Sequence, residues 1–215
     1  MQATFKYIEH PTEVQIEEAV ELLLRAFSGD VTIPAMTGGD TGLEPSLFRS
    51  IVRAGALAGA FYVMTDESDE IFTIGLWLGP GKKVFESEAE RKAAGWDDFF
   101  ASLSPEAQKW WTTVLPETHE KMMQSALKEF YNNRWQSNVL ATHPKHQRKG
   151  YATAMVQAMC ARANKEKSVI GLATHNAKNA EFYERLGFRT LAHTEIPAPK
   201  ASWTEYALIW GDSSL

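Results

Sequence analysis

Apolar side chains at Ile16, Ala19, Val20, Leu23, Leu24 and Phe27 fall at the spacing of one helical face. Pro11-Thr12-Glu13 opens that helix, with Thr12 placed to cap its first turn. Residues 4–8 ahead of it alternate as a short strand does. Residues 29–42 behind it are rich in Gly, Thr and Asp and read as a loop, and a second helix is expected from Pro45 to about Gly55. Residues 59–65 and 70–78 are dense in aromatic and β-branched side chains. With Asp66-Glu67-Ser68-Asp69 between them they predict an antiparallel hairpin, which Gly79-Pro80-Gly81 ends.

The pattern changes over residues 82–134, where Lys, Glu and Ala are interspersed with Trp96, Trp110 and Trp111. Two or three helices are expected there, with starts at Ser104-Pro105-Glu106 and at Pro116-Glu117. Strand character returns at 135–142. A strong helix follows at 150–167, a buried strand at 168–174, a helix at 177–186, and closing strands at 188–196 and 204–210. No repeat of fixed period interrupts this order. The expectation is one α/β domain over residues 1–215, with a helical insertion at about 82–134.

Composition adds limits. The chain is 44% hydrophobic and 23% charged, enough to build a core without disulfides or a structural metal. A net charge of −5 argues against nonspecific nucleic-acid binding and suits a cationic or amine substrate. The single cysteine, Cys160, allows neither an intrachain disulfide nor a thiolate zinc cluster, and no metal is expected. The start MQATFKYIEHPTEVQ does not read as a secretory signal, and no apolar run approaches the ~20 residues of a membrane span. A cytoplasmic monomer or homodimer without membrane or nucleic-acid partners is therefore expected.

The chemistry concentrates at Asn138-Val139-Leu140-Ala141-Thr142-His143-Pro144-Lys145-His146-Gln147-Arg148-Lys149-Gly150-Tyr151-Ala152-Thr153. A strand ends at Pro144, a polar loop turns, and a helix starts near Gly150. The first N–H groups of that helix lack internal partners and form an anion site, to which Arg148 and Lys149 add charge. Neither G-x-x-x-x-G-K-[ST] nor a strand followed by G-x-G-x-x-G is present. Downstream, the strand Val169 to Thr174 leads into Asn176-Ala177-Lys178-Asn179-Ala180-Glu181-Phe182-Tyr183-Glu184-Arg185-Leu186-Gly187-Phe188. Between the two segments, Ala152, Met155, Val156, Met159, Cys160 and Ala163 give the helix one face that can pack on a sheet.

Gln147-Arg148-Lys149-Gly150-Tyr151-Ala152 resembles the [QR]-x-x-G-x-[GA] signature of the GNAT N-acetyltransferase superfamily, and the downstream segment is similar to that family's second cofactor segment. The detailed likeness covers residues 138–188. It implies a mixed, mostly antiparallel sheet of about six to seven strands flanked by helices, with the insertion between the third and fourth strands. It further implies that the fourth and fifth strands splay apart around acetyl-CoA. Leu140, Ala141 and Thr142 would then offer backbone groups to the pantetheine arm. Gln147, Arg148, Lys149, Gly150, Tyr151, Ala152 and Thr153 would hold the pyrophosphate, and Asn176, Asn179 and Phe182 would contact the cofactor from the other side.

An alkyl amine with a lysine-like pKa is deprotonated only about once in a few thousand molecules at pH 7, so attack on a thioester needs a proton acceptor. Tyr183 matches the family's tyrosine beside the CoA sulfur, the acid for the departing thiolate; its other reading is an aromatic packed between helix and sheet. The resemblance also implies a Glu or His on the fourth strand, but Gln136 and Asn138 stand there instead. His143, His175, Glu117, Glu120 and His119 are the remaining candidates, and none is assigned; a water relay is the alternative. Trp110 and Trp111 either seal the insertion onto the sheet or, with Trp96 and Phe99-Phe100, form a lid over an apolar acceptor. The activity expected is acetyl transfer to a primary amine of a small molecule. A protein or peptide acetyltransferase, a non-catalytic acyl-CoA-binding module and a purely structural protein are the alternatives.

Overall fold

The computed structural model describes residues 3–211, in which seven strands form two sheets. Strands β1 (Thr4–Tyr7), β2 (Phe61–Thr65), β3 (Ile71–Leu78) and β4 (Gln136–Thr142) make an antiparallel sheet in that order. Strands β5 (Ile170–Thr174), β6 (Arg189–Ile196) and β7 (Trp203–Trp210) make a second, antiparallel sheet in the order β5-β7-β6. The predicted hairpin is β2–β3, and both of its strands are buried throughout.

Helices cover both faces of the first sheet. Helix α1 (Glu13–Ala26) has the predicted Thr12 cap, completed by Gln15 as a capping box. Its apolar side packs with α3 (Glu44–Leu57) on Ile74, Leu76 and Ala141. On the other face lies α8 (Tyr151–Lys165), with Met155, Val156, Met159, Cys160 and Ala163 fully or nearly buried. That helix passes very close to β3: a Cβ on Gly75 would stand 2.5 Å from the Met155 sulfur. Helix α9 (Ala177–Glu184) packs on the second sheet through Ala180 and Tyr183.

The segment expected to be loop at 29–42 contains a one-turn helix, α2 (Ile33–Met36), and a 3₁₀ turn at Thr41–Leu43. Pattern could not announce so short a helix, because its support comes from elsewhere: Trp111 donates Nε1–H to the Met36 carbonyl at 2.9 Å. The insertion holds α4 (Glu88–Ala94), α5 (Trp96–Ser102), α6 (Pro105–Lys109) and α7 (Lys121–Leu127). No new helix starts at Pro116. The helix of α6 continues through two π-helical turns, Trp110–Val114 and Pro116–Glu120, into α7. Proline has no N–H for an α-helical bond and its ring crowds the carbonyl four residues back. The wider spacing, in which Leu115 N–H bonds to the Trp110 carbonyl, accommodates it.

The insertion seals onto the body. Trp110 is 3% exposed, packs with Ala35, Ile196 and Trp203, and donates to the Pro197 carbonyl at 2.7 Å. Trp96, Phe99 and Phe100 cluster with Leu47 of α3. No helix among the described residues is long and apolar enough to cross a membrane.

Candidate active site

The two sheets touch at one point. Trp135 N–H bonds to the Val169 carbonyl and the Gly171 N–H to the Trp135 carbonyl, both at 2.9 Å, in a single parallel bridge. Beyond it β4 stays with β3, β5 stays with β7, and the two strands diverge. A bulge in β4 supplies the reason. Leu76 pairs with Val139 and Trp77 with Ser137, leaving Asn138 as the extra residue, and such a bulge bends its strand. An unpaired strand edge is a row of backbone donors and acceptors without partners, and here it lines an opening.

Two adjoining clefts meet at that opening. The first, about 560 Å³, is lined from β4 by Leu140 and Thr142, from the loop and start of α8 by Gln147, Arg148, Gly150, Tyr151, Ala152 and Thr153, and from α9 by Asn179, Phe182 and Tyr183. The second, about 410 Å³, shares Leu140, Thr142, Gln147, Asn179 and Tyr183, adds Ala141 and Asn176, and runs toward α1 and α2. The structure thus brings together Tyr183 and every residue expected to contact the cofactor except Lys149, which is exposed and lines neither cleft. A larger cavity of about 780 Å³ lies elsewhere, between Tyr7, His10, Glu13 and Arg53, and contains none of them.

The loop before α8 presents backbone donors that no side chain caps. Helices α1 and α9 close their first turns with side chains, Thr12 and Asn176, whereas α8 has no side-chain cap. Its first N–H groups therefore open into the cleft. Arg148 and Gly150 both have left-handed backbones (φ 62° and 84°), the curl that gathers successive N–H groups into an anion-binding concavity. Phe72 of β3 braces the loop, stacking on His146 at 5.2 Å and packing at a tilt on Tyr151 at 4.4 Å. Arg185 adds a second arginine to the lining, unremarked in the sequence because it sat inside a motif read for its other positions. An uncapped helix start, two arginines and an adjoining unpaired strand edge fit a long phosphorylated cofactor such as CoA. Among the described residues no group of three or more His, Cys, Asp or Glu is placed to hold a metal ion.

Tyr183 packs as an aromatic between helix and sheet and also lines both clefts. Its ring packs edge-on against Phe182 (5.1 Å) and Phe188 (5.2 Å) and is 7% exposed. Its hydroxyl interacts with the Ser137 side chain on β4, so the residue spans the opening. Burial pushes the phenol well above its ordinary range, and the Ser137 hydrogen bond offsets only part of that. Tyr183 is therefore held protonated.

The candidate bases separate cleanly. His143 lies outside both clefts, with Nδ1 accepting from the Lys145 N–H at 3.2 Å; burial and then nearby Arg25 lower its pKa. His119 faces Glu205 of β7 at 2.7 Å, and neither it nor Glu117 and Glu120 reaches the opening. His175 does line the second cleft, and its Nε2 lies 2.7 Å from Asp30 Oδ2. Asp30, Phe27, Ile33, Met36, Phe48 and Ile51 also line that cleft, and sequence reasoning missed all six as site residues. Trp96, Trp110, Trp111, Phe99 and Phe100 do not line it, so these residues are a seal rather than a lid. Cys160 is buried and burial pushes its thiol up to about 12, which makes it inert.

Residues 113–190 match a family described as acetyltransferase (GNAT) domain. Among solved structures, the chain is similar to a histone acetyltransferase HPA2 and related acetyltransferase from Corynebacterium glutamicum, with 21% identity over 97% of this chain and 96% of that one and a TM-score of 0.64. It is also similar to arylalkylamine N-acetyltransferase 2 from Aedes aegypti, with 13% identity over 98% and 99% and a TM-score of 0.65. A polyamine N-acetyltransferase from Drosophila melanogaster, which forms N-acetylagmatine, gives 10% identity over 97% and 99% and a TM-score of 0.64. No curated protein sequence matches the chain. Residues 113–190 thus match the GNAT acetyltransferase domain family, and the chain as a whole shares the fold of solved acetyltransferases.

Proposed function

We propose that this chain is an N-acetyltransferase that passes the acetyl group of acetyl-CoA to a primary amine of a small molecule, by direct attack in a ternary complex. One observation carries the reading: the uncapped start of α8 and the unpaired edge of β4 open into the same pair of joined clefts, with Tyr183 between them. Gln147, Arg148, Gly150, Tyr151, Ala152 and Thr153 would hold the pyrophosphate, and Leu140, Ala141 and Thr142 the pantetheine arm. Asn176, Asn179 and Phe182 would close the other wall, with Lys149 at its outer margin. Acetyl-CoA supplies the activated acyl group as a thioester.

The second cleft suits the acceptor. Its volume is in the range of small-molecule sites, and Phe27, Ile33, Met36, Phe48 and Ile51 give it an apolar wall. Asp30 supplies negative charge, as an ammonium group requires. Solved relatives named for arylalkylamine and agmatine acetylation are consistent with an amine of this kind. Tyr183, held neutral, donates toward the sulfur of the leaving group. Transfer converts R–NH₃⁺ and the thioester into an amide and a thiol and releases one proton. One amine proton therefore leaves to solvent, and the other ends on the thiol.

Thermal unfolding with and without acetyl-CoA tests the first half. A ligand bound only by the folded state at ~100 times its Kd stabilises by about 2.7 kcal/mol. Gly150→Asp, which adds a negative charge at the start of α8, should abolish the shift. A panel of primary amines with CoA-thiol detection tests the second half. Absence of any shift would overturn the reading; a shift with no turnover would leave a CoA-binding module.

A further inference from the structure

The proposed reaction needs an acceptor for the ammonium proton, and β4, the strand beside the thioester in that reading, offers none. Its cleft-lining residues Ser137, Asn138, Val139, Leu140, Ala141 and Thr142 are all non-titratable. Of the residues that line the acceptor cleft from any element, only Asp30, His175 and Tyr183 titrate. Tyr183 is protonated and already committed to the leaving group.

We propose that His175, oriented by Asp30, is the catalytic base that takes the proton from the acceptor amine. The two residues stand 145 positions apart, one just past α1 and the other just past β5, and meet across the mouth of the cleft at 2.7 Å. Each side chain is about one-fifth exposed, so the pair is shielded yet reachable from the cleft. Asp30 is itself fixed. Its Oδ1 accepts from the Thr32 hydroxyl at 2.6 Å and the Thr32 N–H at 2.9 Å, and its own N–H bonds to the Phe27 carbonyl at 2.9 Å. Burial opposes ionisation of Asp30, but the His175 and Thr32 hydrogen bonds together outweigh it and hold the carboxyl below its ordinary range. An ionised Asp30 can only accept, so neutral His175 carries its proton on Nε2 and leaves the Nδ1 lone pair as the proton acceptor. Nδ1 has no hydrogen-bond partner among the described residues. The Phe27 ring, 6.4 Å from the imidazole, limits its rotation on one side.

The step balances. Nδ1 of His175 accepts one proton from R–NH₃⁺ and later returns it to water. The freed nitrogen lone pair forms the C–N bond as the C–S bond breaks. Tyr183 gives its proton to the departing sulfur and recovers one from the acylated nitrogen. Asp30 keeps its charge throughout and is a positioning residue.

This proposal rests on the N-acetyltransferase reading, and the test separates the two. Steady-state kinetics on the wild type, His175→Gln and Asp30→Asn would use two acceptor types: alkyl amines, charged at pH 7, and an aromatic hydrazine, already neutral there. With alkyl amines, His175→Gln should lose ~10²–10⁴-fold in kcat/KM and lose the acid limb of the pH profile. With the hydrazine it should stay within about tenfold of wild type, since no proton need be removed before attack. Asp30→Asn should fall between the two, because it removes the carboxylate that orients the ring. The imidazole NMR resonance missing from His175→Gln gives a readout independent of turnover, and Asp30→Asn should change its chemical shift as the 2.7 Å contact is altered. Equal losses with both acceptor types would make His175 a structural clip and overturn the proposal, as would wild-type rates in His175→Gln. A wild type that binds acetyl-CoA yet acetylates no amine would overturn the enzyme reading, and the base with it.

Discussion

Replacing Tyr183 by Phe removes one oxygen from the centre of the opening and little else. The ring contacts with Phe182 and Phe188 survive, so no cavity forms. What is lost is the interaction with Ser137, whose hydroxyl keeps a second partner in the Val139 carbonyl at 3.3 Å. A buried hydrogen bond between neutral groups is worth ~1 kcal/mol, so Tyr183→Phe should destabilise by about that much or less. For a chain of this size that is a fall of about 2–4 °C in Tm. The catalytic effect should be far larger, ~10²–10⁴-fold in kcat with the alkyl amines, if the phenol protonates the departing thiolate.

The same residue makes a stability prediction at high pH. Burial raises the Tyr183 pKa in the folded state above the ordinary value of about 10. Above about pH 10 the unfolded chain therefore binds fewer protons at this position than the folded one. Stability is fully present below that pH and falls as pH rises toward the folded pKa, by at most ~1.4 kcal/mol per pH unit. Urea unfolding of wild type and Tyr183→Phe between pH 9 and 11 should show the wild type declining more steeply. Parallel curves would refute the burial argument, and a variant within threefold of wild-type kcat would refute the acid.

Three further outcomes are expected. Gly150→Ala should cost about 1–2 kcal/mol by thermal unfolding, because the left-handed backbone there (φ 84°) penalises a Cβ although no atom lies within 4 Å of it. Trp111→Phe deletes the donor to the Met36 carbonyl, so it should loosen α2 and raise the KM for the amine several-fold while leaving acetyl-CoA binding unchanged in a calorimetric titration. Cys160, with its thiol pushed up to about 12, should resist iodoacetamide in the folded protein at pH 8 and react readily in urea, as mass spectrometry would read.

Much of the site was legible because its logic is local. The loop at 143–150, the bare start of α8 and the packed face Met155, Val156, Met159, Cys160 and Ala163 all arise within a few turns of chain, where side-chain spacing dictates geometry. The same holds for the β2–β3 hairpin and for the Thr12 cap. Where a local rule met a tertiary one, the tertiary one prevailed. Pro116 favours a helix start, yet packing on both sides carried the helix through it in π form. The polar stretch 29–42 favours loop, yet Trp111 and the apolar residues around Ile33 and Ala35 made it a wall of the second cleft.

The sequence by itself determined the fold class, most of the order of elements and the uncapped start of α8, because each rests on periodicity or on contacts between near neighbours. Only the tertiary structure decided where β4 leaves β5, which aromatic residues seal rather than cover, and that Asp30 meets His175. Those outcomes depend on distances between segments far apart in the chain, and one sequence carries no record of which of its distant polar residues will be brought within 2.7 Å of one another.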